Sequence, residues 1–587
     1  MGITKSAGDF REKVKDFRVG KDATLVILLF ILYLVIVFAV LLPNLSDINP
    51  WDEAAYVQSG VALMEGKELP TLAGNPLTAL FFGLIYLPFK SSILWMVHSL
   101  SLARVILLAL LWLGTYLVAR EFSDFASPLI ALGFLVVTPL AIEMLRFPSD
   151  PLFTAFAALS LWQFIRYYRS SNLRNIILAS VFMALAALAR NDGLILFVIF
   201  IFLTLVISIR RSRWWLSLIA AILPFIIIVG GYVLISGLIT GDFSLEIAER
   251  TYSNFESGQQ LVYSGTGEFN PVVEARMEAR RIFGTGEENN FSVFRAIARN
   301  PGEYFKRLVA VLKQLPDTLL HAYGIRFTAV LFLFLLVGIA ELIRRKQYAL
   351  ALILVLWPAH LATGFVITLF REGHLQFPFY VVFILAAIGL SATIARFGDK
   401  RTRWIVSVLL IALCIYGIFD NKMAIFYGAS LALVALWVIF FLQRKANLSL
   451  VGALFIMLCA GLILHGDYPS PKLRTLGDDP KEKAVTYLTE NFAEGTLVAA
   501  GSPGVVWAAK MEYAGLTSAD VPMDRSSEEF LDWLRAQGIG VLYVDHDLYT
   551  NSPVLWSLIE PQIGVGLERV FVIEQGNYQI LVIPADT

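Results

Sequence analysis

Charge is scarce in this sequence. Asp, Glu, Lys and Arg make up 16% of the 587 residues, against roughly a quarter in soluble domains. That deficit excludes an ordinary water-soluble domain for most of the chain. Cysteine is scarcer still: Cys414 and Cys459 are the only two, both inside apolar runs, which excludes a disulfide framework and a cysteine-based metal site. The formal net charge is zero, so nothing draws the chain in bulk toward nucleic acid or acidic partners. No convincing internal repeat and no low-complexity tract is present.

What fills the chain is hydrophobic, 57% of it, in blocks long enough to cross a bilayer as helices. Such runs fall near 23–43, 102–120, 126–142, 150–168, 174–189, 193–209, 214–236, 325–343, 348–368, 374–395, 404–419, 422–442 and 448–466. The expectation is thirteen transmembrane helices. The first run is too long, and too poor a match to a small-residue cleavage site, to be a removable signal peptide. Lys5, Arg11, Lys13, Lys15, Arg18 and Lys21 precede it, and later loops of the same parity carry Arg166, Arg169, Arg174, Arg210, Arg211, Arg344, Arg345 and Lys346. The opposite short loops carry at most one or two positive charges. This positive-inside pattern predicts a multi-pass protein of the cell membrane with a cytoplasmic N-terminus.

Three segments then fall outside the cytoplasm: 44–101, 237–324 and the tail after 466. Domain division follows as 1–466, a membrane domain that includes the two outer loops, and 467–587, a small α/β domain. Residues 51–65 read as an amphipathic helix, and "NPLTALFFGLIYLPF" (Asn75–Phe89) as an interfacial or re-entrant helix. After Asn300 and Pro301, Tyr304, Leu308, Val311, Leu312 and Leu315 recur at helical spacing, predicting a helix along the membrane surface. In the tail, "DDPKEKAVTYLTENF" and "SEEFLDWLRAQGIG" read as helices, "GTLVAAGS" and "VLYVDHD" as strands. "VFVIEQ" and "YQILVIP" read as a strand pair around Gly576–Asn577. Acidic Asp545–Asp547 at a strand's end suit loop caps better than a metal site.

Asp52 and Glu53, in "NPWDEAAYVQSG", carry two readings. Asn49 as N-cap and Pro50 as first helical residue place both acids in a first helical turn, where carboxylates meet free N–H groups and the helix dipole. Alternatively they are reactive. Tyr56 lies four residues after Asp52 on the same helix face, and "EMLRFPSDPLF" puts Glu143, Arg146 and Asp150 at another outer junction. Ionisable groups at a bundle's boundary suggest function, although Asp150 also suits a helix cap. Arg104, Arg190, Arg371 and His374 lie near outer span ends. Each arginine alone could snorkel to headgroups; converging, they would bind an anion such as phosphate. Asp192 and His321 could join from neighbouring loops.

In this order the motifs resemble the GT-C membrane glycosyltransferases, particularly the aminoarabinose transferase and protein O-mannosyltransferase branch. "WDEAAY", "GNPLTALFFGLIY", Arg104, "LAIEMLRFPSDPLFTAFAALSLW", "LAALARNDGLIL" and "FREGHLQFPFYVVFIL" carry the likeness over most of residues 23–390. The resemblance implies an α-helical multi-pass fold and inverting transfer of a monosaccharide from a polyprenyl- or dolichyl-phosphate carrier. The acceptor would be a protein, lipid or glycan at the outer face. It implies Asp52 as general base beside Glu53, and Asp150 positioning acceptor or base. Arg104, Arg190, Arg371 and His374 would neutralise the lipid phosphate, with Tyr56, Glu143 and Arg146 positioning substrates. A divalent ion held by Asp52 and Asp150 stays open. Where the aminoarabinose branch has an arginine after its acidic pair this chain has Ala54 and Ala55, and Asn75 stands in place of a lysine. No "WWDYG"-like stretch marks an oligosaccharyltransferase. A transporter or flippase of lipid-linked sugars is the alternative, though no repeated halves are present; an assembly subunit acting through its tail is a third.

Overall fold

A computed structural model describes residues 24, 26–35, 52–66, 75–123, 128–137, 149–209, 213–240, 248–263, 271–323, 328–367, 375–397, 399–419, 429–437 (without 431 and 435), 479–516, 526–545, 548, 553–573 and 578–584. The expected spans coincide with helices α1 (Val26–Val35), α4 (Trp95–Glu121), α5 (Pro128–Val137), α6 (Ser149–Ser170), α7 (Leu173–Ala189), α8 (Asp192–Ser208) and α9 (Trp214–Phe225), with α10 (Gly231–Thr240) continuing α9. Between α1 and α4 lie α2 (Asp52–Glu65) and α3 (Pro76–Tyr86). The segment after α10 supplies α11 (Ala248–Ser257), α12 (Pro271–Phe283), α13 (Val293–Arg299) and α14 (Pro301–Tyr323). Further apolar helices follow as α15 (Thr328–Arg344), α16 (Tyr348–Leu356), α17 (Ala362–Val366), α18 (Phe379–Arg396) and α19 (Lys400–Phe419). Among the described residues, four helices are long and apolar enough to cross a bilayer: Trp95–Glu121, Trp214–Leu238, Tyr348–Val366 and Phe379–Arg396. The run at 448–466 lies outside the described residues.

One apolar core runs through α1 and α4 to α9 and into α15, α16 and α18. Its tightest crossing joins α15 to α18: a Cβ at Gly338 would run into the Leu385 carbonyl oxygen, and one at Gly389 into that of Phe334. Only glycine lets two backbones approach so closely, the small-residue packing usual between membrane helices.

The tail folds as an α/β unit around a five-stranded sheet, one strand more than the four expected. Helix α20 (Pro480–Asn491) precedes β1 (Leu497–Ala500), α21 (Gly504–Ala508), β2 (Glu512–Gly515), α22 (Ser527–Ala536), β3 (Val541–Val544), α23 (Pro553–Ile559), β4 (Glu568–Ile573) and β5 (Tyr578–Val582). Strand order is β2-β1-β3-β5-β4. β1 pairs in parallel with β2 and β3, while β5 pairs antiparallel to β3 and β4, so the strand pair read from sequence is present. β2 leaves little trace in the sequence, because "EYAG" carries little β-branched or apolar signal. Ser526 and Glu529 start α22 with a reciprocal capping box. Asp545 caps the loop after β3, its Oδ1 accepting the Leu548 N–H at 3.0 Å.

Two expectations change. α2 is not amphipathic: Ala54 to Val57 and Ser59 to Ala62 are buried nearly all round. The reason is that α2 lies between α3 and α21. It therefore shares an apolar core with α3, the first turns of α4 and the inner face of the tail sheet. Trp95 Nε1 donates to the Ala508 carbonyl at 2.9 Å across this junction. α14 forms as expected, but Leu312 of its apolar stripe is exposed, whereas Arg307 is wholly buried. Arg307 lies over the rings of Phe255 (4.3 Å) and Phe283 (5.2 Å) and donates to the Phe255 carbonyl.

Candidate functional site

The site is built at the ends of helices that the apolar core holds in register. α7 stops at Ala189, Arg190 is extended (φ −162°, ψ 137°), and α8 begins at Asp192. So sharp a reversal needs Gly193, where a Cβ would come within 2.5 Å of the Ala187 backbone. The Arg190 N–H still donates to Ala186 O (2.9 Å), and the Gly193 N–H closes onto Arg190 O (2.9 Å). Thr78 of α3 donates to Ala189 O at 3.1 Å, tying the juxtamembrane helix to the same corner.

From that corner the Arg190 side chain reaches two carboxylates. Nη1 donates to Asp150 Oδ1, in the first turn of α6, at 2.5 Å, and Nε donates to Asp192. Asp150 is almost wholly buried, and its Oδ1 also accepts from Ser149 Oγ at 3.2 Å. It stands second in the helix, so a first-turn carboxylate also holds the ion pair. The guanidinium lies 4.6 Å above the Phe377 ring, a cation–π geometry. Phe377 in turn meets Phe153 edge-on at 5.3 Å and His360 face-to-face at 6.4 Å. His360 Nδ1 donates to the Trp357 carbonyl at 3.0 Å, and the ring is within electrostatic reach of Asp192 and Arg190.

α2 approaches from the other side. Tyr56 lies within electrostatic reach of Arg190, and its hydroxyl accepts from Asn75 Nδ2 at 2.9 Å. Asn75 precedes α3 without capping it, so its side chain serves the cluster instead. Asp52 and Glu53 are the first two residues of this helix, one turn before Tyr56.

The structure thus brings together Asp150, Arg190 and Tyr56 with Asp192. Arg104 is about two and a half turns inside α4, which begins at Trp95 instead of near 102. On that helix Trp95 to Ala103 belong to the core shared with the tail, and Leu107 onward to the membrane core. Buried Arg104 stands between the two. Glu143, Arg146, Arg371 and His374 lie outside the described residues, as do the side chains of Asp52, Glu53 and His321. Sequence reading passed over Asn75, His360 and Phe377 as site residues. The signal for His360 was available: an ionisable residue within an apolar run, "VLWPAHLATGF".

The donor set bears on a metal. Among the described residues no group of three or more His, Cys, Asp or Glu could hold one. Arg190 occupies the place between Asp150 and Asp192 that a cation would take.

No protein-family model matches the chain, and no curated protein matches it in sequence. Solved structures do. ArnT from Cupriavidus metallidurans, crystallised with undecaprenyl phosphate, superposes with a TM-score of 0.55 at 12% identity, over 95% of this chain and 98% of that one. This chain has the GT-C fold. Lesser similarities are to the archaeal oligosaccharyltransferase AglB from Archaeoglobus fulgidus, in complex with an inhibitory peptide and a dolichol-phosphate (TM-score 0.47, 13% identity, 95% of this chain and 74% of that one), and to the mycobacterial arabinofuranosyltransferase AftD (0.42, 14%, 96% and 42%). Within the GT-C fold the Arg190 cluster lies where α2, α3, α6 and the α7–α8 corner converge.

Proposed function

We propose that the chain is an inverting glycosyltransferase that moves a monosaccharide from a polyprenyl-phosphate carrier to an acceptor hydroxyl on the outer face of the membrane. One observation carries this reading. In a GT-C fold, the helix that begins at Asp52 brings Tyr56 within electrostatic reach of a half-buried arginine held between two carboxylates. In the reaction Asp52 takes the acceptor's proton as its oxygen bonds to the sugar's anomeric carbon. The carbon–oxygen bond to phosphate breaks on the opposite face, and its electron pair leaves with the polyprenyl phosphate. Negative charge grows on that leaving group, and preorganised guanidinium donors stabilise charge where it develops. Arg190 supplies such donors, with Arg104, Arg371 and His374 as further cations and Asp150 and Asp192 fixing the Arg190 fork. Residues 1–466 form the catalytic domain and 467–587 a second domain, whose α21 packs on α2.

Asp52→Asn tests the assignment. With a radiolabelled polyprenyl-phosphate sugar, turnover falls about 10²–10⁴-fold, the usual worth of a general base, while Tm stays within a degree or two of the wild type. Unchanged turnover removes Asp52 as the base. Flipping of the labelled lipid in liposomes without transfer to any acceptor removes the enzyme class.

A further inference from the structure

α6 has a second functional end. Sixteen residues beyond Asp150, about 24 Å along the helix, its last turns join the start of α7 and the end of α4 around a cavity of about 470 Å³. That volume falls within the ordinary range of ligand sites. Arg166, Arg169 and Arg174 line it, with Glu121 the single acid among its lining residues. Glu121 is already engaged, 3.5 Å from Arg169 and accepting the Trp162 Nε1 proton at 3.2 Å. Arg166 lies over the Trp162 ring at 5.2 Å, and neither it nor Arg174 has a carboxylate partner among the described residues. Gln163, 4% exposed, lines the same cavity. Its amide oxygen has no hydrogen-bond partner among the described residues, and an amide flip presents donors from the same position.

We infer that this cavity binds the phosphate of an anionic phospholipid headgroup. Arginine forks suit phosphate, and basic pockets between membrane helices at their arginine-rich ends bind lipid headgroups. The surroundings favour lipid over a soluble anion. Leu173 and Ile177 of α7 are exposed beside the arginines, and α9, packed on α7, begins with the exposed pair Trp214–Trp215. Tryptophans at such a level mark the membrane–water interface.

Binding of phosphatidylglycerol and of phosphatidylcholine to the full-length protein in detergent, followed by native mass spectrometry, tests this. Expected is phosphatidylglycerol bound about tenfold or more tightly than phosphatidylcholine, with that preference lost in R166Q/R174Q and largely kept in R166K/R174K. Equal binding of the two lipids by the wild type overturns the inference even if the glutamine variant fails to fold. So does undiminished phosphatidylglycerol binding in a folded R166Q/R174Q. Displacement of the lipid by millimolar inorganic phosphate alone makes the cavity a free-anion site and overturns the lipid assignment.

Discussion

A guanidinium has five N–H donors, and at Arg190 the Asp192 and Asp150 carboxylates engage one on Nε and one on Nη1. Two opposing anions fix the fork without exhausting it, so the remaining donors keep one direction. Lysine keeps the charge but is a point donor on a flexible stem. Arg190→Lys should therefore lower kcat about 10²-fold, the scale of losing one preorganised oxyanion donor, in a transfer assay with Tm measured in parallel. Arg307 is the contrasting case. Wholly buried, it has rings and a carbonyl for company and no carboxylate among the described residues, and burial pushes its pKa down to about 10. The shift is downward for a base, so at neutral pH the charged form disfavours the folded state. Arg307→Met should leave Tm unchanged or raise it in thermal unfolding; a loss of about 3–5 kcal/mol would reveal a buried counter-ion.

At the scale of elements, periodicity and turn signals were legible because they are local. α20 and α22, β1, β3 and the β4–β5 pair follow from apolar spacing and the Gly576–Asn577 turn signal; the Ser526–Glu529 capping box emerges only in the structure. Asp150 and Arg190 could be picked out as ionisable groups at span ends, but their pairing across 40 residues is tertiary and leaves no local trace. The burial of α2 was illegible for the same reason: only the docked tail reveals why a helix with Ala54, Ala55 and Val57 on several faces needs no polar side. Asn75 stands where the resembled family has a lysine, and it bonds Tyr56. The α15–α18 crossing yields an element-scale prediction. Gly338→Ala or Gly389→Ala must separate two backbones in contact, at a cost of about 1–3 kcal/mol of overpacking. A lowered unfolding midpoint in detergent checks it, and an unchanged midpoint would mean the helices part freely.

For the whole molecule, the membrane bundle and the tail are not beads on a string. A single apolar core holds α2, α3, the start of α4 and the tail sheet, so the helix that begins at Asp52 is clamped from both sides. α4 is the member common to both bodies, 27 residues long, or about 40 Å, against a hydrocarbon layer of about 30 Å. Its surplus is the part that carries Trp95 to Ala508. α4 is thus a strut whose lower portion must match the bilayer while its upper portion is bolted to the tail. Thickening the lipid asks the strut to sink or tilt, and the tail resists. Reconstituted in a series of lipids of increasing acyl length, the protein should show sugar transfer that peaks at one thickness and falls on either side. A flat profile across the series would mean that the tail moves with the strut.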